Sequence, residues 1–161
     1  MPIKGFFPTG IDPMPAPHVQ AFLFLPRINS QGSVIFMLDT GADSTTVSLI
    51  DVERLNVSYR RLKPSSLIDV SGFGGDQKCF KEDAILIFND DGGTTCYFPI
   101  SLCIPKKGRT TKMREQQRRL ASVIGRDVIG QCQFNVEYRK GLAELIPPTS
   151  ASHPTPTRRL I

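Results

Sequence analysis

Residues Phe36-Met37-Leu38-Asp39-Thr40-Gly41-Ala42-Asp43-Ser44-Thr45-Thr46-Val47 run an apolar strand into one carboxylate and then into a tight turn of small residues. The apolar side chains ahead of Asp39 bury the chain up to the carboxylate. Gly41 lets the backbone come close to another group. Thr40 carries a hydroxyl able to bond backbone across a close contact. Such a stretch holds a carboxylate rigidly at the edge of a core. A bare Asp-Thr-Gly tripeptide also suits an ordinary turn or cap, so the flanks carry the weight. Three apolar residues precede Asp39, and the hydroxyl and branched residues Ser44–Val47 stand where a returning strand begins.

Around this stretch the chain reads as mostly strands. His18–Leu25 and Ser33–Leu38 flank a polar turn at Asn29–Gly32, which predicts a hairpin. Ala84–Asn89 and Thr95–Ile104 flank Asp90-Asp91-Gly92-Gly93, the strongest hairpin signal in the sequence. Cys132–Tyr138 and Leu142–Ile146 flank Arg139-Lys140-Gly141, a third hairpin. Short helices are expected at Leu49–Leu55 and Thr111–Ala121, with a helical turn at Arg126–Gly130. Residues 1–17 form a proline-rich extended leader and 147–161 a disordered Pro/Ser/Thr tail, so the folded domain is expected at 18–146.

Composition agrees with a β-rich domain. The 161 residues suffice for one core, and 13 glycines with 13 prolines favour turns over long helices. No apolar run approaches the roughly 20 residues of a membrane span. No signal-peptide pattern stands at the N-terminus, so a cytoplasmic location and no membrane partner are expected. The four cysteines are widely spaced with no CxxC pair, which predicts free thiols and no metal site. The net charge of +5 is concentrated in Lys106–Arg119, where seven cations meet one acid, Glu115. That stretch suits nucleic acid or an acidic partner on charge alone, but no aromatic residues interleave to stack on bases. A solvated loop and helix face is therefore the favoured reading.

In three segments, in order, the chain resembles the retropepsin family, the retroviral aspartic proteases and their cellular relatives. Phe36–Val47 is similar to the family's active-site signature without a gap. Val70-Ser71-Gly72-Phe73-Gly74-Gly75 is similar to the glycine-rich tip of the flap. Val123-Ile124-Gly125-Arg126-Asp127-Val128-Ile129 is similar to the apolar-Gly-Arg-Asp/Asn segment near the family's C-terminus. The resemblance implies a mainly β, single-domain closed barrel of the acid-protease fold, active as a C2 homodimer. It implies an aspartic endopeptidase with Asp39 catalytic and no cofactor. It further implies that Thr40 bonds across the dyad, that Ala42 supports the site, and that Gly41 and Asp43 meet the substrate backbone. Gly72, Phe73, Gly74 and Gly75 would cover an extended peptide. Arg126 would pair with Asp43 and brace the active-site loop, with Gly125 letting its segment pack beneath.

Two carboxylates held close together cannot both ionise comfortably, so one keeps its proton and the pair works as acid and base. This chain has one Asp-Thr-Gly and no second copy, so the partner is expected to be the chain itself across a two-fold axis. Compared with compact members, Leu49–Leu67 is extra and is expected as helix and loop, and 105–120 stands as an insertion. In retroviral members terminal strands of both subunits interleave. Here the leader is proline-rich and Leu142–Ile146 is followed by a tail, features that point to a cellular or prokaryotic relative. Two other classes stay open: a dimeric module that binds extended peptides without cutting them, and a nucleic-acid-binding module working through Lys106–Arg119.

Overall fold

The computed structural model describes residues 1–10, 15–72 and 75–148. The described residues are mainly β and form nine strands: β1 (Ile3–Lys4), β2 (His18–Leu25), β3 (Ser30–Leu38), β4 (Leu67–Gly72), β5 (Gly75–Asn89), β6 (Thr95–Pro105), β7 (Ser122–Ile124), β8 (Gln133–Glu137) and β9 (Leu142–Ile146). Helices α1 (Leu49–Arg54), α2 (Thr111–Arg118) and α3 (Arg126–Ile129) are short. No helix among the described residues is long and apolar enough to cross a membrane.

The β2–β3 hairpin forms because its side chains alternate. Val19, Ala21, Leu23 and Leu25 face inward from β2, and Val34, Phe36 and Leu38 from β3. The turn sits earlier than the sequence reading places it, over residues 26–29, and β3 begins at Ser30 instead of Ser33. Asn29 supplies the left-handed residue (φ 51°) that an asparagine tolerates, so Ser30 already pairs with Leu25. At the β5–β6 turn Asp90 Oδ1 accepts from the backbone N–H of Gly92 (2.9 Å) and Thr94 (2.8 Å), and Gly93 takes φ 78°. The third hairpin joins β8 to β9 through Gly141 at φ 62°.

The larger sheet runs β4-β5-β2-β3-β7, with β6 on the other side of β5. All ladders are antiparallel except β3 with β7, where Leu38 lies opposite Ile124. A smaller sheet runs β1-β9-β8. Phe36, Leu86, Phe88, Phe98, Leu102, Ile124 and Val128 build the core between them. Each such side chain contributes about 1.5–3 kcal/mol by leaving water.

The expected closed barrel is not formed. The outer strands β6 and β7 meet only through isolated bridges of Thr46, to Cys103 on one side and Val123 on the other. A single residue between two strands supplies one rung, not a ladder, so the large sheet stays open along most of that seam. Described parts of the segment expected as a leader pack against the domain. Ile3 is 2% exposed within the core, β1 pairs with β9, and Phe6 bridges His18. Of the tail expected at 147–161, residues 149–161 lie outside the described residues.

Candidate active site

β3 delivers Asp39. Leu38 is buried under it, and the Asp39 backbone N–H donates to Ile124 O (3.1 Å) on β7. Asp39 is half-buried, while Thr40 and Gly41 are exposed. The chain then turns tightly: Ala42 N–H donates to Asp39 O (3.2 Å), and Gly41 N–H donates to Asp39 Oδ1 (2.8 Å). A side chain at 41 would come within 3.1 Å of that same oxygen, so glycine suits the turn.

Gly125 and α3 support this loop from below. Arg126 N–H donates to Ala42 O (2.8 Å). A Cβ on Gly125 would stand 2.8 Å from Ala42 O and 2.9 Å from Ser44 N, so two backbones meet there with no room for a side chain. The Arg126 guanidinium meets Asp43 Oδ1 in an exposed ion pair. Asp127, whose role no local sequence pattern signals, holds the loop more deeply. Its carboxylate accepts from Thr45 N–H (2.9 Å) and from the Thr45 hydroxyl (2.8 Å), and Thr45 is fully buried. The Thr45 hydroxyl oxygen in turn accepts from Gly125 N–H (3.3 Å).

Above Asp39 lies a groove of about 700 Å³. Its floor is the loop from Asp39 to Ser48. The β4–β5 hairpin roofs it: Ile68, Asp69, Val70 and Ser71 of β4 line the groove, and from β5 the alternate residues Gly75, Gln77, Cys79 and Lys81 do. Gly72 pairs with Gly75, which takes φ 86°, a conformation that favours glycine. Phe73 and Gly74, expected at the tip of this hairpin, lie outside the described residues.

The stretch read as an insertion becomes a wall. Gln117, Leu120 and Ala121, at the end of α2 and just beyond it, line the groove. Gln117 ties down the preceding loop, accepting from Gly108 N–H (2.9 Å) and donating to Lys106 O (2.8 Å). Several of the cations counted as a basic patch are used internally. Arg118 makes a two-pronged contact with Glu53 of α1, Lys107 lies 3.5 Å from the same carboxylate, and Arg114 donates to the carbonyls of Gly108 and Arg109. The Arg118 guanidinium holds the Glu53 carboxyl below its usual range.

Three carboxylates line the groove: Asp39, Asp43 and Asp69. Arg126 takes Asp43, and Lys78 takes Asp69 at 2.8 Å. Among the described residues no cation lies in ion-pair contact with Asp39, and no cluster of three His, Cys, Asp or Glu side chains is arranged to hold a metal. Cys79 and Cys103 line the groove and are buried, and none of the four cysteines is in a disulfide.

No protein-family model matches the chain, and no curated protein matches its sequence. Among solved structures, the crystal structure of a retropepsin-like aspartic protease from Rickettsia conorii is similar, with a TM-score of 0.48 and 16% identity over 90% of this chain and 88% of that one.

Proposed function

We propose that the protein is a homodimeric aspartic endopeptidase in which the Asp39 carboxylates of two copies share one site. The observation that carries this is that Asp39, alone of the groove carboxylates, is paired with no cation among the described residues. It stands at a strand end with Thr40 and Gly41 exposed beside it, where a second copy could approach. The buried Thr45–Asp127 contact and the tight Gly125 packing support a rigid loop, as positioned acid–base groups require.

In this reading one Asp39 is ionised and takes a proton from a water as the water oxygen bonds the scissile carbonyl carbon. The protonated Asp39 of the second copy gives its proton to the carbonyl oxygen. The tetrahedral adduct then collapses, the C–N bond breaks, and a proton passes to the leaving amine. The β4–β5 hairpin acts as a flap over an extended peptide, and Thr40, Gly41, Ala42 and Asp43 serve the dyad and the substrate backbone. The reading calls on no metal or cofactor.

The test is cleavage of a diverse peptide pool. Asp39→Asn should lower the rate by about 10³-fold while leaving the fold intact, since general acid–base catalysis is worth that order. Specific activity should fall on dilution, as two copies that share one site come apart. If the wild type cuts nothing that Asp39→Asn spares, while binding the same peptides, the protein is a peptide-binding module instead.

A further inference from the structure

Lys81 is, among the described residues, the only lysine or arginine lining the groove. It projects from β5 on the same face as Cys79 and Gln77, and its cross-strand partner Cys103 lines the groove beside it. The ammonium group has two contacts, both with neutral oxygens: the Ser44 hydroxyl at 3.2 Å and Ser101 O at 3.4 Å. Both are at or beyond the long end of the hydrogen-bond range, and an ammonium has three donors. Among the described residues no carboxylate, Asp39 included, is in ion-pair contact with Lys81, and other acids of the groove and of β5 are held by other cations. Asp43 is held by Arg126, Asp69 by Lys78, and Glu82 points to the opposite face of β5, where Arg27 holds it. Around Lys81 the groove is largely apolar, with Met37, Val47, Ile68, Val70, Leu120 and Val123. A cation that is half-buried, lacks a carboxylate and lies 3.2 Å from the Ser44 hydroxyl, on the loop that follows Asp39, is poised to meet an anion carried by the occupant.

We propose that Lys81 is a specificity-determining residue that selects a glutamate or aspartate side chain of the bound peptide, at the position whose side chain points to Ser44. The inference rests on the reading of the groove as a peptide-cleavage site. An extended peptide turns alternate side chains to opposite sides, so one residue of the substrate, and not its neighbours, reaches Lys81. A carboxylate there gains charge-assisted hydrogen bonds in place of the long neutral ones. The adjoining positions meet the apolar walls and take apolar side chains.

The experiment scans each position of a cleaved peptide with Glu, Gln and Lys, and measures kcat/KM for the full-length protein. At one position Glu should exceed Gln by roughly tenfold, the low end for a hydrogen bond to a charged group. That ratio should shrink at higher ionic strength. It should fall to about one in Lys81→Met, survive in Lys81→Arg, and invert in favour of Lys in Lys81→Glu. A wild type that prefers Gln or Lys to Glu at every position overturns the proposal, whatever the variants do. So does a Glu preference that Lys81→Met retains. If no peptide is cleaved at all, the protease reading fails separately, and Lys81 is then judged by direct binding. Fluorescence anisotropy of labelled Glu- and Gln-containing peptides should show the same tenfold ratio in the wild type and its loss in Lys81→Met, and equal affinities would overturn it.

Discussion

Thr45 is fully buried, and both its backbone N–H and its hydroxyl donate to the carboxylate of Asp127, 82 residues along the chain. By contrast, the Arg126–Asp43 pair is exposed, with the two side chains 60% and 82% accessible. An exposed pair of this kind contributes about 0–1 kcal/mol, whereas a buried donor left without its acceptor costs about 1–3 kcal/mol. The loop that carries Asp39 is therefore held more by Asp127 than by its neighbour Arg126. Asp127→Ala should lower stability by roughly 2–3 kcal/mol in urea denaturation, since it strands two donors. Asp127→Asn keeps one acceptor and should recover about half of that. An unchanged midpoint in Asp127→Ala would remove the bracing role. At this scale Asp39, Gly41 and Gly125 were legible from their neighbours in sequence, because a strand end and a close backbone approach are local patterns. Asp127 was not, because its value lies in a partner that no local pattern specifies.

Among the elements, α2 departs furthest from its sequence reading. Its composition gives a helix with little apolar surface, and the helix forms with Thr110 as N-cap, the hydroxyl accepting from Met113 N–H at 3.2 Å. Charge links it to α1. Glu53 on α1 receives Arg118 and Lys107, and the Arg118 contact pulls the Glu53 carboxyl below its ordinary value of 4.5. A carboxyl lowered in the folded state contributes stability above pH 4.5 that is lost as the pH falls through its folded value. Amide hydrogen exchange in α2 should therefore speed up relative to the β5 core as solutions are taken below about pH 4.5. Glu53→Gln should abolish that pH dependence. If α2 exchanges alike in both proteins across the acid range, the Glu53 contact does not dock it. Under the protease reading the same contact limits how acidic the medium can become before one wall of the groove loosens.

On the scale of the whole molecule, burial favours the neutral form of two thiols and one phenol. Burial pushes the Cys79 and Cys132 thiols from 9.0 up to about 11, and the Tyr59 hydroxyl from 10.0 up to about 12. Each raised group favours its protonated form in the folded state. The stability they contribute is intact below pH 9 and is lost as the pH rises through 11, with Tyr59 extending the loss toward 12. Thermal midpoints should fall steadily between pH 9 and 11. Thiol reagents at pH 8 should label the native protein far more slowly than the unfolded chain. Rapid labelling of Cys79 in the native state would contradict its burial. The sequence by itself determined the strand that ends in Asp39, the three hairpins and the short helices. Alternation, turn residues and caps act over a few neighbours, so those features are written locally. Only the tertiary structure decided that Ile3 of the leader joins the core, that the large sheet stays unclosed beside Thr46, and that Lys81, Leu120 and Asp127 gather around one groove. Those outcomes depend on which faces meet across tens of residues. Asp39 is visible in the sequence as a carboxylate at a strand end, but it becomes a candidate catalyst only where the fold leaves it free of any cation among the described residues, beneath a roof of its own chain.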